Sequence, residues 1–420
     1  MRNRANGNED GFGRVLRPIL LLAATVFIDL LGFGILLPNI PQYVEHATGG
    51  DHGRAAMIGG WLGASYSIPQ FLLAPAWGRF SDRAGRRPVI LTSLVGVGLA
   101  YILFGLSDGR LWMLFAGRIL AGVLSSASIG VAFAYVADVT TPENRAKGLG
   151  ILGACFGLGF TFGPVIGGSL GSIDLSLPAF TAAAMALTNA ALSWKFLPES
   201  LSAEAREAER TAPSVGFRRL VGRVVTDPAA PLFAVNFAMV FGFAAIEQVF
   251  GYFLMKRGLA VPSNQPARMA MIMGVVGVVG IIVQGGLIGH LVARWGESRI
   301  LRAGLFLLVG GYIALTVPRG WGIGIFAASA LLSTGRSLIG PAASALISRR
   351  TKVGQGLVQS ASQSFEALAR SVGPVVAGSL FDWYGPTVPY HFSAVLTVCA
   401  LGLAFAFVPG TVTKGVGGEA

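Results

Sequence analysis

Long apolar runs alternate with short polar breaks along almost the whole chain. Read for apolar length and for Gly, Pro and charge at the breaks, the pattern predicts twelve helices. They lie near 17–42, 57–77, 89–107, 110–138, 145–170, 177–197, 231–255, 268–292, 299–317, 321–347, 354–381 and 387–408. Each reaches the roughly 20 residues that a bilayer's hydrocarbon layer requires of a crossing helix. Only one break is long. It divides the chain into an N-terminal six-helix half (1–197), a polar linker (198–230) and a C-terminal six-helix half (231–420). Within the linker, residues 203–210 read Ala-Glu-Ala-Arg-Glu-Ala-Glu-Arg and predict a short exposed helix. The first apolar run is longer than a signal-peptide core and lacks a small-residue cleavage site, so it is expected to stay as span one.

Composition supports an all-α membrane protein. The 420 residues are 53% hydrophobic and 12% charged, too apolar for a soluble fold. The net charge of +12 raises nucleic acid as a partner, but the cations sit in short breaks between apolar runs, which suits topology instead. If the polar tail before span one is inside, 23 Lys and Arg fall on that side and six on the other. Because Lys and Arg resist translocation, both termini are expected to be cytoplasmic, in a plasma (inner) membrane. Cys155 and Cys399 lie inside apolar runs and predict no disulfide framework.

The break after span two is the most charged. Gly78-Arg-Phe-Ser-Asp82-Arg83-Ala-Gly85-Arg86-Arg87-Pro88 places one acid among four arginines. It reads as a short cytoplasmic loop with a preset charge arrangement. The pattern returns 211 residues later as Gly289…Ala293-Arg294-Trp295-Gly296. In span five, Gly163-Pro164-Val-Ile-Gly167-Gly168-Ser-Leu returns as Gly373-Pro374-Val-Val-Ala-Gly378-Ser-Leu, and Gly117-Arg118 has a counterpart in Gly335-Arg336. Two halves with one orientation imply a pseudo-two-fold axis along the membrane normal and a substrate site where the repeats meet.

These motifs resemble the major facilitator superfamily over essentially the whole length. The 78–88 loop matches that family's signature between spans two and three, and Gly117-Arg118 its intramembrane arginine motif. Gly159-x-x-x-Gly163-Pro164-x-x-Gly167-Gly168 matches the motif of its drug–proton antiporters. Asp29-Leu-Leu-Gly-Phe-Gly-Ile-Leu-Leu-Pro38, Tyr135-Val-Ala-Asp138 and Ala154-Cys-Phe-Gly157 are similar to bacterial tetracycline exporters. Those exporters carry an acid in span nine; residues 302–317 here hold none, so their substrate does not carry over. The resemblance implies a proton-coupled transporter that works by alternating access, with Arg118 in the coupling and Gly78, Asp82, Arg83, Gly85, Arg86 and Arg87 in the conformational switch.

Charges inside a bilayer are costly and mark functional candidates. Of 20 Asp and Glu, only Asp29, Glu247 and Glu366 lie deep in spans. Asp29 is about 18 Å past Arg17 and Glu247 about 13 Å before Lys256 at the helical rise. Burial disfavours a carboxylate's charged form, which suits alternating protonation. Glu366 and Arg370 are spaced for an internal pair, with a structural and a coupling role equally open. Gln70, Asn236, Gln248, Gln284, Arg336 and Gln363 are candidates for the substrate cavity, whose walls of Phe, Leu, Val and Gly suit an amphipathic, neutral or cationic compound. The kinked, close-packed Gly159–Pro164 run is expected at the outer end of span five, where it would seal a gate. Gly105-Leu-Ser107-Asp108-Gly109 spells a nucleophile elbow but follows no strand, so it reads as a turn. No metal spacing, cofactor motif or catalytic constellation appears, and a monomer that meets protons, a small molecule and the bilayer is expected. An importer on the same fold is the first alternative; a membrane receptor or enzyme is the second.

Overall fold

In the computed structural model, residues 2–204, 206–207, 227–351 and 355–408 are described, with their side chains apart from those of 2–15, 142, 143, 145–147, 156, 355–361 and 363. The described chain is helical throughout: α1 (Arg2–Leu36), α2 (Ile40–Thr48), α3 (His52–Ala84), α4 (Arg86–Gly105), α5 (Leu111–Val139), α6 (Pro142–Gly171) and α7 (Leu177–Phe196), then α8 (Ala230–Lys256), α9 (Gln265–Ile281), a π-helical turn (Ile282–Leu287), α10 (Ile288–Trp295), α11 (Glu297–Leu315), α12 (Ile323–Arg350), α13 (Gln355–Tyr384) and α14 (Val388–Phe407). Every predicted span has a helix, and nine of the described helices are both long and apolar enough to cross a membrane. In lipid this is the expected outcome, because an α-helix satisfies its own backbone.

Three boundaries differ from the apolar pattern, each for a local reason. Span one breaks at residues 37–39, where Pro38 has no N–H to donate, and resumes as α2. Asn39 bridges the break, donating from Nδ2 to the carbonyls of Ile35 and Gly167, both at 3.0 Å. The charged loop after span two shrinks to one residue. α3 continues through Ala84, α4 begins at Arg86, and Gly85 makes the corner at φ 106°, where L side chains are strained. Span eight carries a π turn over Gln284-Gly285-Gly286. The expected linker helix at 203–210 falls largely outside the described residues.

The chain forms two compact units. One comprises Met1–Asp51, Trp61–Ser214 and Pro262–Met271; the other, His52–Gly60, Val215–Val261 and Ile272–Ala420. In the first, α1 packs on α6 and α7, and α4 on α5 and α7, around Leu22, Val26, Ile90, Leu94, Val131 and Tyr135. In the second, α8 packs on α13 and α14, and α11 on α12 and α14. The two sets of pairings are the same, one span for one span, so the sequence repeat is a structural repeat.

Fine detail follows the repeat as well. Gly296 makes the same corner as Gly85, at φ 76°. Beside one corner Arg86 pairs with Asp138 (3.1 Å); beside the other Glu297 pairs with Arg349 (2.8 Å). Both partners are displaced by 211 residues, so the same ion pair ties the same two spans in each unit with its signs reversed. Gly117-Arg118 and Gly335-Arg336, by contrast, are not equivalent. A Cβ on Gly117 would meet Ala100 and Phe104 on α4, whereas one on Gly335 would meet Gly304 and Leu308 on α11. Gly117 is six residues into α5 and Gly335 twelve into α12, so Arg336 lies nearly two turns further along its span. The letter match aligned two different depths.

Candidate functional site

The first unit gathers a polar cluster around α1 and α5. Asp29 is 4% exposed and accepts a hydrogen bond from Ser128 Oγ at 3.1 Å. Among the described residues no cation lies within ion-pair distance of it. Arg118 is 1% exposed, and none of its three guanidinium nitrogens has a hydrogen-bond partner. Its charge is met by rings: the guanidinium carbon is 4.5 Å from the centre of Tyr66 and 5.4 Å from that of Phe33. Gln70 donates to the Tyr66 hydroxyl (3.2 Å) and to Ser125 Oγ (2.9 Å), and Ser125 donates to the same hydroxyl (2.9 Å). Tyr101 closes the cluster from α4, its ring against Gly32, where any Cβ would sit 2.9 Å from the hydroxyl.

The second unit has a longer chain of charge. Asn236 on α8 donates to Glu366 on α13 (3.0 Å), and Glu366 pairs with Arg370 (3.5 Å). Glu247 has a buried Oε1 with no hydrogen-bond partner, and lies within electrostatic reach of Arg336 and Arg370. Arg336 stacks on Phe243 at 4.0 Å. Gln248 is buried on α8, Gln284 is exposed in the π turn, and the Gln363 side chain lies outside the described residues. The four charges expected to act in this half are thus brought together; Gln284 is not among them.

The residues of the 78–87 signature serve as an anchor for α4. Arg86 pairs with both Asp82 and Asp138, and donates to Ser81 at 3.2 Å. Glu199, just past α7, accepts from the backbone N–H of Arg86 (2.9 Å) and of Arg87 (3.2 Å), meeting the unsatisfied donors that open a helix. A Cβ on Gly85 would lie 2.4 Å from Glu199 Oε2, so only glycine leaves the carboxylate room. Ser200 donates to Asp138 (3.1 Å) and Tyr135 to the Pro198 carbonyl (2.8 Å), which ties the start of the linker to α5. Arg83 remains exposed, and Gly78 has open space where a side chain would go.

The glycines of span five form a seam on α1. A Cβ on Gly159 would meet the Phe27 carbonyl oxygen at 2.6 Å, one on Gly163 the Cα of Gly34 at 2.8 Å, and one on Gly167 the Ile35 carbonyl oxygen at 2.0 Å. Gly168 faces Pro266 and Ala270 in the same way. α6 is helical without interruption through Pro164, so the run acts through close approach of backbones.

The sequence model of the Major Facilitator Superfamily matches residues 22–335 and 285–419. The chain belongs to this superfamily. Among the relatives of this major facilitator protein is multidrug resistance protein 2 of Bacillus subtilis, 30% identical over 92% of this chain and 94% of that one. Another is the class C tetracycline resistance protein of Escherichia coli, 32% identical over 86% and 89%. The solved human organic anion transporter MFSD10 (TETRAN) is 26% identical and covers 92% of this chain and 99% of its own, with a TM-score of 0.69. The major facilitator chain is therefore a multi-pass membrane transporter and not an enzyme.

Several residues of this transporter's clusters were not singled out by sequence. Phe33, Tyr66 and Tyr101 look like ordinary apolar positions, and Ser125 and Ser128 like small packing residues. Glu199 follows a span end and had no marked motif. The one available signal was spacing: Phe33 and Phe243 stand 210 residues apart, in register with Gly163 and Gly373.

Proposed function

We propose that this transporter couples inward proton movement to export of small amphipathic compounds by alternating access. In this reading it is a monomer of the plasma (inner) membrane with both termini cytoplasmic. The six-helix halves, 1–197 and 231–420, are the moving bodies and residues 198–230 their tether. Relatives that bear the names multidrug and tetracycline resistance protein support export. The observation that carries the coupling is Asp29: a carboxyl group in the interior of a span, held among the described residues by a single hydroxyl and paired with no cation. Such a group can be neutral in one state and charged in another. Glu247 plays the equivalent part in the second half, with Glu366 as the alternative acid.

The test is transport by inverted vesicles with an imposed proton gradient, over a panel of cationic, neutral and anionic dyes and drugs. Anions belong in the panel because the MFSD10 relative is an organic anion transporter. Asp29→Asn is expected to lose gradient-driven accumulation and keep downhill exchange. Addition of substrate to purified protein is expected to release protons. If Asp29→Asn and Glu247→Gln each release as many as the wild type, neither acid is the coupling site.

A further inference from the structure

A cation buried in a bilayer normally takes an anion or a backbone carbonyl as partner. Among the described residues, Arg118 takes neither. The two rings that cover it are themselves a unit, with centres 5.3 Å apart and planes at 35°. Phe33 follows Asp29 by one turn of α1. Tyr66 is fixed in place by the two hydrogen bonds its hydroxyl receives from Gln70 and Ser125. The second unit repeats the device: Arg336 stacks on Phe243, the repeat counterpart of Phe33, although Arg336 comes from another depth of its own span. What both units share is an aromatic face offered to an intramembrane arginine.

We propose that Phe33 and Tyr66 form an aromatic clamp that holds the Arg118 cation without a counter-ion, with Tyr66 as the positioning residue. While the rings hold Arg118 it makes no ion pair with Asp29, although both charges reach Tyr101. A ring face attracts a desolvated guanidinium strongly enough to matter at this depth, but, unlike a carboxylate, it takes no proton. Among the described residues, the titratable groups in reach of Arg118 are Tyr66 and Tyr101, and Asp29 reaches Tyr101 in turn. Release of Arg118 would free the cation to move toward Asp29, and a cation nearer that acid favours its charged form. The consequence for transport rests on the coupling reading above; the clamp itself does not.

Two experiments separate them. The first needs no transport. Mono-, di- and trifluorophenylalanine at position 33 drain the ring's negative face with little change in shape. Thermal stability of the purified protein is expected to fall stepwise with fluorine number, and to be flat in an Arg118→Met background. Equal slopes in both backgrounds overturn the clamp. The second reads position 66 through the proton gradient. Tyr66→Leu is expected to lower gradient-driven accumulation about threefold to thirtyfold, the worth of one desolvated ring face, and to move its pH midpoint down. Tyr66→Phe is expected to recover most of both. An unchanged pH midpoint in Tyr66→Leu, with wild-type transport intact, overturns the positioning role. A wild type that couples no substrate to protons overturns the exporter reading and leaves the fluorine series to decide the clamp.

Discussion

Gly85→Ala tests the anchor of α4 most directly. Two costs add. The corner at φ 106° and ψ 156° lies in a region reserved for glycine, and forcing alanine into it costs about 1–3 kcal/mol. The new Cβ would stand 2.4 Å from Glu199 Oε2, so the carboxylate must leave. Its departure strips the Arg86 and Arg87 amides of charge-assisted hydrogen bonds. Each is worth about 1.5–3 kcal/mol when buried, and Glu199 is half-exposed, so about 1–2 kcal/mol in all is the fair expectation. The sum is a loss of about 2–5 kcal/mol, measurable by reversible unfolding in mixed detergent micelles. A double-mutant cycle isolates the second part. In a Glu199→Ala background, Gly85→Ala should cost only the strain, so the two changes should couple by about 1–2 kcal/mol. Additivity within about 0.5 kcal/mol would show that the carboxylate and the glycine do not depend on each other.

Three further outcomes are expected. Gly167→Ala should separate α1 from α6 and lower both stability and transport, while Gly157→Ala on the same helix, with open space around it, should be neutral in both assays. Glu297→Arg alone should lower transport by setting a second cation against Arg349. The double change Glu297→Arg with Arg349→Glu should restore a substantial part of it, because Arg86 and Asp138 hold that pairing at the equivalent place and Ala293 stands where the first unit has Asp82; no recovery would refute the equivalence. Deletion of Gly286 should convert the π turn to regular α-helix and lower transport more than Gly286→Ala, which keeps residue number and meets nothing within 4 Å.

The helices were legible because length and apolarity are enough to define a span; most ends fall within a few residues of the pattern, but α1 begins at Arg2 and α3 runs to Ala84. Asp29 and Glu247 were legible because a carboxyl group in an apolar run has few structural excuses. The corner at Gly85 was less so. Arg79, Asp82 and Arg83 read as a loop by charge, but they ride on the last turns of α3, where polar residues are as acceptable in a helix as in a loop. The π turn was invisible because Gly285-Gly286 in an apolar run fits an ordinary helix as well. The clamp on Arg118 was invisible for a related reason: Phe33 and Tyr66 acquire their role from distance and angle, and their letters are those of any span. The paired letters Gly-Arg at 117 and 335 misled, since a dipeptide match carries no depth.

The seam of α1 and α6 has a thermal consequence. Within lipid, two helices gain nothing by leaving water, because both are already out of it; they are held by dispersion and by backbone contacts at close range. The strength of a water-driven core fades on cooling, through the heat capacity of exposed apolar surface. Where Gly159, Gly163 and Gly167 lie on the backbone of α1, that source of cold weakness is absent. This part of the protein should keep its packing near freezing, and slow transport in the cold should then report stiff lipid and slow switching rather than a loosened half.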